Sequence, residues 1–262
     1  MIKAEVILLN LMIDDKFSTM PWAEIDTVVF DVGNVLLAWT PEEILHRVLP
    51  DVPELHDELT ARVFKSPYWV MRDRGSATVE EVIHAMSITR PELEPYIRKI
   101  MNEWVDIPTM PEGVAALKTC KAHGKKLYAL TNYADKEFAY ACAKHDFFAL
   151  FDDYFVSGRE HTIKPGLDIY ARIQQRFGFD PKRTLFIDDS IMNIEAALES
   201  GWQALCYNRA GKLSEFLAKK SRKGLINLNF PLDSRDGVWY HFCWPLRRGL
   251  SMCICTTSNP GE

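Results

Sequence analysis

Residues 25–35, Ile25-Asp26-Thr27-Val28-Val29-Phe30-Asp31-Val32-Gly33-Asn34-Val35, decide how the chain is read. A β-branched and aromatic run that is apolar nearly throughout predicts a strand buried on both faces, and such strands belong to parallel sheets covered by helices. The run ends on Asp31, with Gly33 two residues later. A carboxylate at the end of a buried strand is costly to hold unless it caps a turn or is used.

Runs of the same kind recur at Lys126–Asn132, Asp153–Ser157, Thr184–Asp188 and Gln203–Tyr207. Helical period fills the gaps at Pro111–His123 before Gly124, Lys136–His145, Leu167–Phe177, and Ile191–Ser200 before Gly201. This alternation predicts an α/β fold, a parallel sheet flanked by helices. Residues 41–109 break it, with helical period near 42–48, 54–66, 78–87 and 91–104 and no clear strand. An all-helical insert after the first strand would sit over the carboxyl ends of the strands, where open parallel sheets bind ligands. The expected organisation is an N-terminal extension over 1–20, an α/β core built from 21–40 and 110–230, a helical cap over 41–109 and an irregular tail over 231–262.

Composition narrows the function classes. The 262 residues carry 31 Lys and Arg against 36 Asp and Glu, a net charge of -5, which offers no electrostatic footprint for nucleic acid. The apolar run Val6–Ile13 is interrupted by Asn10 and meets Asp14 and Asp15, so it is too short for a bilayer and lacks the small-residue cleavage site of a secretory signal. A cytoplasmic protein with no nucleic-acid or membrane partner is expected. Of the six cysteines, Cys120, Cys142 and Cys206 stand singly in apolar patterns, while Cys243, Cys253 and Cys255 gather in the tail without zinc-site spacing.

Three further motifs accompany Asp31. The second predicted strand ends in Thr131-Asn132, Lys164-Pro165 lies in a charged loop, and the fourth strand ends in Asp188-Asp189. Adjacent carboxylates repel unless a cation sits between them. The four come in chain order at the ends of successive strands or in the loop beyond, and so converge on one edge of the sheet.

This set resembles the haloacid dehalogenase-like superfamily over residues 25–220, the helical insert included. Within it, the D-x-G-N-V form, the Thr131-Asn132 pair and the stretch Arg72-Asp73-Arg74-Gly75-Ser76-Ala77-Thr78 followed by Glu80 look most like the branch with the phosphatase of α-D-glucose 1-phosphate. The resemblance implies a Rossmann-like core with an inserted cap, and a magnesium-dependent phosphatase acting on a small phosphorylated metabolite such as a sugar phosphate, as a monomer or homodimer. It implies Asp31 as nucleophile, Thr131 and Asn132 (through its backbone N–H or its amide) as partners of the phosphoryl oxygens, and Lys164 as the neutralising cation. Magnesium would be held by Asp31, the Gly33 carbonyl, Asp189, and Asp188 directly or through water. Trp69 and the loop to Gly75, with Arg72, Asp73 and Arg74, would read the substrate. Two positions depart from the pattern. Gly33 stands where many relatives carry a second Asp that protonates the leaving oxygen, leaving Asp73 or Arg74 to substitute, and Asn193 stands where several carry another acidic residue. A carbon–halogen hydrolase and an inactive binding relative are the alternatives.

Overall fold

In the computed structural model, which describes residues 22–207 together with Leu213 and Leu217, five strands form one parallel sheet. They are β1 (Thr27–Phe30), β2 (Lys126–Thr131), β3 (Asp153–Val156), β4 (Thr184–Asp188) and β5 (Gln203–Cys206), in the order β3-β2-β1-β4-β5. The direction of winding reverses at β1, which pairs with β2 and β4 (Val29 opposite Tyr128 and Phe186). The crevice outside the carboxyl end of a strand at such a reversal is where open α/β sheets hold ligands. The predicted extension and tail, with Cys243, Cys253 and Cys255, lie outside the described residues.

Strand periodicity of two sorts the sheet's side chains between two layers. Val29, Leu130, Phe155 and Phe186 face one side and pack with Ile169, Tyr170, Ile194 and Trp202. Val28, Phe30, Leu127, Ala129 and Ile187 face the other, in one continuous core with Ile44, Leu59, Val82 and Ile97 of the helical segment. β1 is shorter than the predicted Ile25–Val32, because the chain turns directly after Phe30. The Val32 carbonyl accepts from the N–H groups of Leu36 and Leu37, and Asn34 takes a φ of 56°.

The longer helices among the described residues are α1 (Pro41–Val48), α2 (Pro67–Asp73), α3 (Val79–Ser87), α4 (Glu94–Glu103), α5 (Pro111–Ala122), α6 (Asp135–Lys144), α7 (Leu167–Phe177) and α8 (Ile191–Glu199). Residues 41–104 contain no strand, as expected. Both ends of the helical segment are pinned beside β1: Ala38 N–H donates to Pro108 O at 2.9 Å and Met110 N–H to Leu36 O at 2.7 Å. No helix among the described residues is long and apolar enough to cross a membrane.

Helix α2 forms where the sequence predicts a loop. Ser66 caps the helix by accepting from Trp69 N–H, Pro67 opens it, and Gly75, at φ +73°, follows its end. The end of α2 is fastened to the sheet, because Ser157 Oγ donates to the Asp73 carbonyl while accepting from Tyr133 N–H at 2.8 Å. A Cβ at Gly75 would stand 2.4 Å from the Gly158 carbonyl oxygen, so only glycine permits this contact. Gly75→Ala is therefore expected to lower stability by about 2 to 4 kcal/mol, from positive φ and steric overlap together. Urea unfolding measures the loss, and an unchanged midpoint would count against this docking.

Candidate active site

Asp31 leaves β1 with its N–H bonded to Ile187 O at 2.8 Å, which directs its carboxylate out of the sheet's carboxyl edge. Lys164 reaches the same point from the loop before α7. Its Nζ lies 2.8 Å from Asp31 Oδ1 and 2.7 Å from Asp188 Oδ2, and the side chain is only 1 % exposed. Asn132 sets the position of that loop. Its amide donates to Lys164 O at 3.0 Å and its oxygen accepts from Lys164 N–H at 2.9 Å. The Asn132 side chain thus positions the lysine, while the residue also lines the cavity described below.

Asp188 is fully buried. Its Oδ1 accepts from Ser190 N–H at 2.8 Å and from Asn193 Nδ2 at 3.0 Å, and its Oδ2 accepts from Asn193 Nδ2 at 3.0 Å and from Lys164. Asn193, which stood out as a departure, locks this carboxylate in place. Asp189 is half-buried and lines the adjoining cavity. Carboxylate oxygens of Asp31, Asp188 and Asp189 all lie within 4.8 Å of one another.

Burial raises the Asp31 carboxyl above the ordinary range, Lys164 opposes the rise, and Asp188 and Asp189 add to it. Burial works against the charge on Lys164, yet Asp188 and Asp31 outweigh it and hold its pKa up. Asp31 and Asp188 share one ammonium, which leaves excess negative charge in a desolvated place. A hard divalent cation with oxygen ligands fits that deficit, and magnesium, which keeps several waters, needs only one or two protein carboxylates. Asp31, Asp188 and Asp189, whose carboxylate oxygens cluster here, are the side chains that could hold such an ion, with Gly33 lining the same place.

A cavity of about 250 Å³ opens above this cluster. Its floor includes Asp31, Gly33, Thr131, Asn132, Lys164 and Asp189, and its wall is Trp39, Trp69, Asp73, Trp104, Ile107 and Tyr133. The wall is a run of tilted and edge-on aromatic contacts: ring centroids are 6.0 Å apart for Trp39 and Trp69, 5.1 Å for Trp69 and Trp104, and 5.4 Å for Trp104 and Tyr133. Sequence reasoning singled out only Trp69 of these. The available signal was position, since Trp39 stands just before the first helix of the helical segment and Trp104 just after its last.

Arg72 is buried behind the wall, its guanidinium 3.9 Å from the Trp69 ring centroid and 4.7 Å from that of Trp104. Nη2 bonds Asp73 Oδ1 at 2.6 Å. Burial raises the Asp73 carboxyl to about 6 against the opposing pull of Arg72. Arg74, expected to face the substrate, is exposed and does not line the cavity, because it follows the last turn of α2 on the solvent side. Thr131, Lys164, Asp189, Trp69 and Asp73 thus meet at one cavity with Asp31; Arg72 supports the wall from behind, and Arg74 stands apart.

Similarity to known proteins agrees with this architecture. The sesquiterpene phosphatase astK of Aspergillus oryzae is 24% identical over 181 residues, which cover 68% of this chain and 87% of that protein. A HAD family enzyme of Bacteroides thetaiotaomicron, solved as a magnesium complex, shares the fold with a TM-score of 0.57 at 19% identity, over 74% of this chain and 98% of that one. The L-2-haloacid dehalogenase of Xanthobacter autotrophicus with chloropropionic acid covalently bound superposes with a TM-score of 0.56 at 17% identity, over 77% and 85%. Residues 25–201 match the haloacid dehalogenase-like hydrolases. With that match running from β1 to the end of α8, through every member of the Asp31, Lys164, Asp188 and Asp189 cluster, the chain belongs to the haloacid dehalogenase-like hydrolase family.

Proposed function

We propose that the protein is a magnesium-dependent phosphatase that hydrolyses a small phosphomonoester through an aspartyl-phosphate on Asp31. The observation that carries this reading is the cluster of three carboxylates at the sheet's edge, two of them paired with the buried Lys164 ammonium. Asp31 and Asp189, with the Gly33 carbonyl, would hold the metal, and Asp188 would reach it through water. When bound, magnesium supplies charge neutralisation for the phosphoryl oxygens. Asp31 attacks phosphorus, so one difficult displacement becomes two easier ones, the second by water. Lys164 lends positive charge as the equatorial oxygens gain electron density, and the buried Thr131 hydroxyl donates to one of them. Residues 41–109 act as the cap over a core of 21–40 and 110–230.

The wall selects the alcohol. Trp39, Trp69, Trp104 and Ile107 favour an apolar group beside the ester oxygen, with Arg72 and Asp73 steadying the indoles. The likeness to a sesquiterpene phosphatase supports an isoprenoid monophosphate. A sugar phosphate such as glucose 1-phosphate is the second reading, favoured by the polar Asp73 beside Trp69 in the wall. A carbon–halogen hydrolase needs no metal and would leave the acidic cluster without a use.

Phosphate release from farnesyl phosphate, glucose 1-phosphate and simple aryl phosphates tests the reading. Turnover is expected only with magnesium, falling to background in excess EDTA and returning on magnesium addition. Equal rates with and without the metal would refute the metal-dependent mechanism, and a preference for glucose 1-phosphate over farnesyl phosphate would favour the second reading of the wall.

A further inference from the structure

We propose that Asp73, brought into the cavity by α2, protonates the departing oxygen and then draws a proton from the attacking water. The proposal rests on the phosphatase reading above.

A departing alkoxide needs a proton, and a positioned acid is typically worth about 10²- to 10⁴-fold in rate. Gly33 provides no side chain, and a Cβ built there meets nothing within 4 Å, so the space beside the nucleophile is open. The titratable side chains lining the cavity are Asp31, Asp73, Tyr133, Lys164 and Asp189. Asp31 is the nucleophile, Lys164 bridges two carboxylates, and Asp189 belongs to the metal cluster. Burial pushes the Tyr133 phenol far above neutrality. Asp73 is the remaining group, and the structure holds it firmly. Its carbonyl is bonded by Ser157, the chain beyond it is fixed where Gly75 meets Gly158, and its carboxylate is oriented by Arg72.

The groups facing Asp73 explain how it serves as an acid near neutral pH. Burial raises its carboxyl to about 6; Arg72 lowers it, Glu137 of α6 raises it, and a hydrogen bond with Trp69 lowers it. Tyr133 is uncharged beside it. The protonated form is the donor, so the rate on a poor leaving group falls as pH rises through that value.

The chemistry balances. As the Asp31 oxygen bonds to phosphorus, the ester P–O bond breaks and its electron pair takes the Asp73 proton, releasing the alcohol. The Asp73 carboxylate then accepts a proton from water as the water oxygen bonds to phosphorus. The P–O bond to Asp31 breaks, and inorganic phosphate leaves with both carboxyl groups restored to their starting forms.

The test measures kcat/KM of the magnesium-loaded full chain on an alkyl phosphate and on p-nitrophenyl phosphate, whose phenolate departs without a proton. Asp73→Asn is expected to lose about 10²- to 10⁴-fold on the alkyl ester and less than about 10-fold on the aryl ester, with the basic limb of the alkyl-ester pH profile removed. Gly33→Asp added to Asp73→Asn is expected to restore alkyl-ester turnover in part, since the open space accepts the new carboxyl. An equal loss on both esters, or no loss on either, overturns the proposal. Should Asp73→Asn fail to fold, the wild type decides alone: a shallow dependence of rate on leaving-group pKa upholds the proposal and a steep one sinks it. A wild type that releases phosphate from no ester refutes the phosphatase reading itself, whereas turnover insensitive to Asp73 refutes only this assignment.

Discussion

Asp31→Asn is expected to cut phosphate release by about 10⁴-fold or more while leaving the metal-free protein as stable as the wild type, or more so. An amide cannot form the acyl-phosphate, so every turnover that passes through Asp31 stops. The stability half follows from charge. Carboxylate oxygens of Asp31, Asp188 and Asp189 crowd within 4.8 Å of one another, the first two residues sharing the Lys164 ammonium, and burial together with the two neighbouring carboxylates already disfavours ionised Asp31. A neutral isostere removes one of three mutually repelling charges, and Lys164 keeps Asp188 as its partner at 2.7 Å. The same substitution removes a ligand, so the rise in melting temperature that magnesium brings to the wild type should shrink. Phosphate release and thermal melting with and without magnesium check both halves. Residual activity above about one per cent would show that Asp31 is not the nucleophile, since nucleophile loss typically exceeds this by orders of magnitude.

Much of the fold was legible because its strands are buried on both faces and therefore announce themselves as apolar runs. Each of the five predicted strands is found, with ends shifted by no more than two residues. The four motif positions were equally legible, since parallel strands ending at one edge bring their terminal residues together whatever lies between. What failed was local and short. The seven residues of α2, entered through Ser66-Pro67 and left through Arg74-Gly75, hold too few turns to show a helical period. Treating them as a loop sent Arg74 to the substrate, whereas the helix turns it to solvent and buries Arg72 and Asp73.

The aromatic wall failed for another reason. Trp39, Trp69, Trp104 and Tyr133 come from four separate parts of the chain, and only packing brings their rings within 6.0 Å of one another in succession. No local pattern encodes such a meeting. Roles within the acidic site were hidden similarly. That Asn132 holds the Lys164 backbone, and that Asn193 donates to Asp188, depends on geometry across 32 and 5 residues of sequence separation.

Lys164→Met should be the most destabilising single substitution in the site, at about 3 to 5 kcal/mol in the absence of metal. The lysine side chain is 1 % exposed and spans two carboxylates, one of them fully buried. Methionine fills nearly the same volume, so cavity formation contributes little and the loss reports the charge left without its counterion. Asn193 and Ser190 N–H still donate to Asp188, but neutral donors do not cancel a buried negative charge. Two consequences separate this account from a packing defect. Magnesium should recover part of the stability by neutralising the cluster, and Asp188→Asn placed on Lys164→Met should recover a large share without metal, a coupling that a double-mutant cycle in urea measures. A Lys164→Met loss unaffected by either change would mean that the ammonium is held by packing rather than by charge, and the excess-charge basis for a metal at this edge would fall with it.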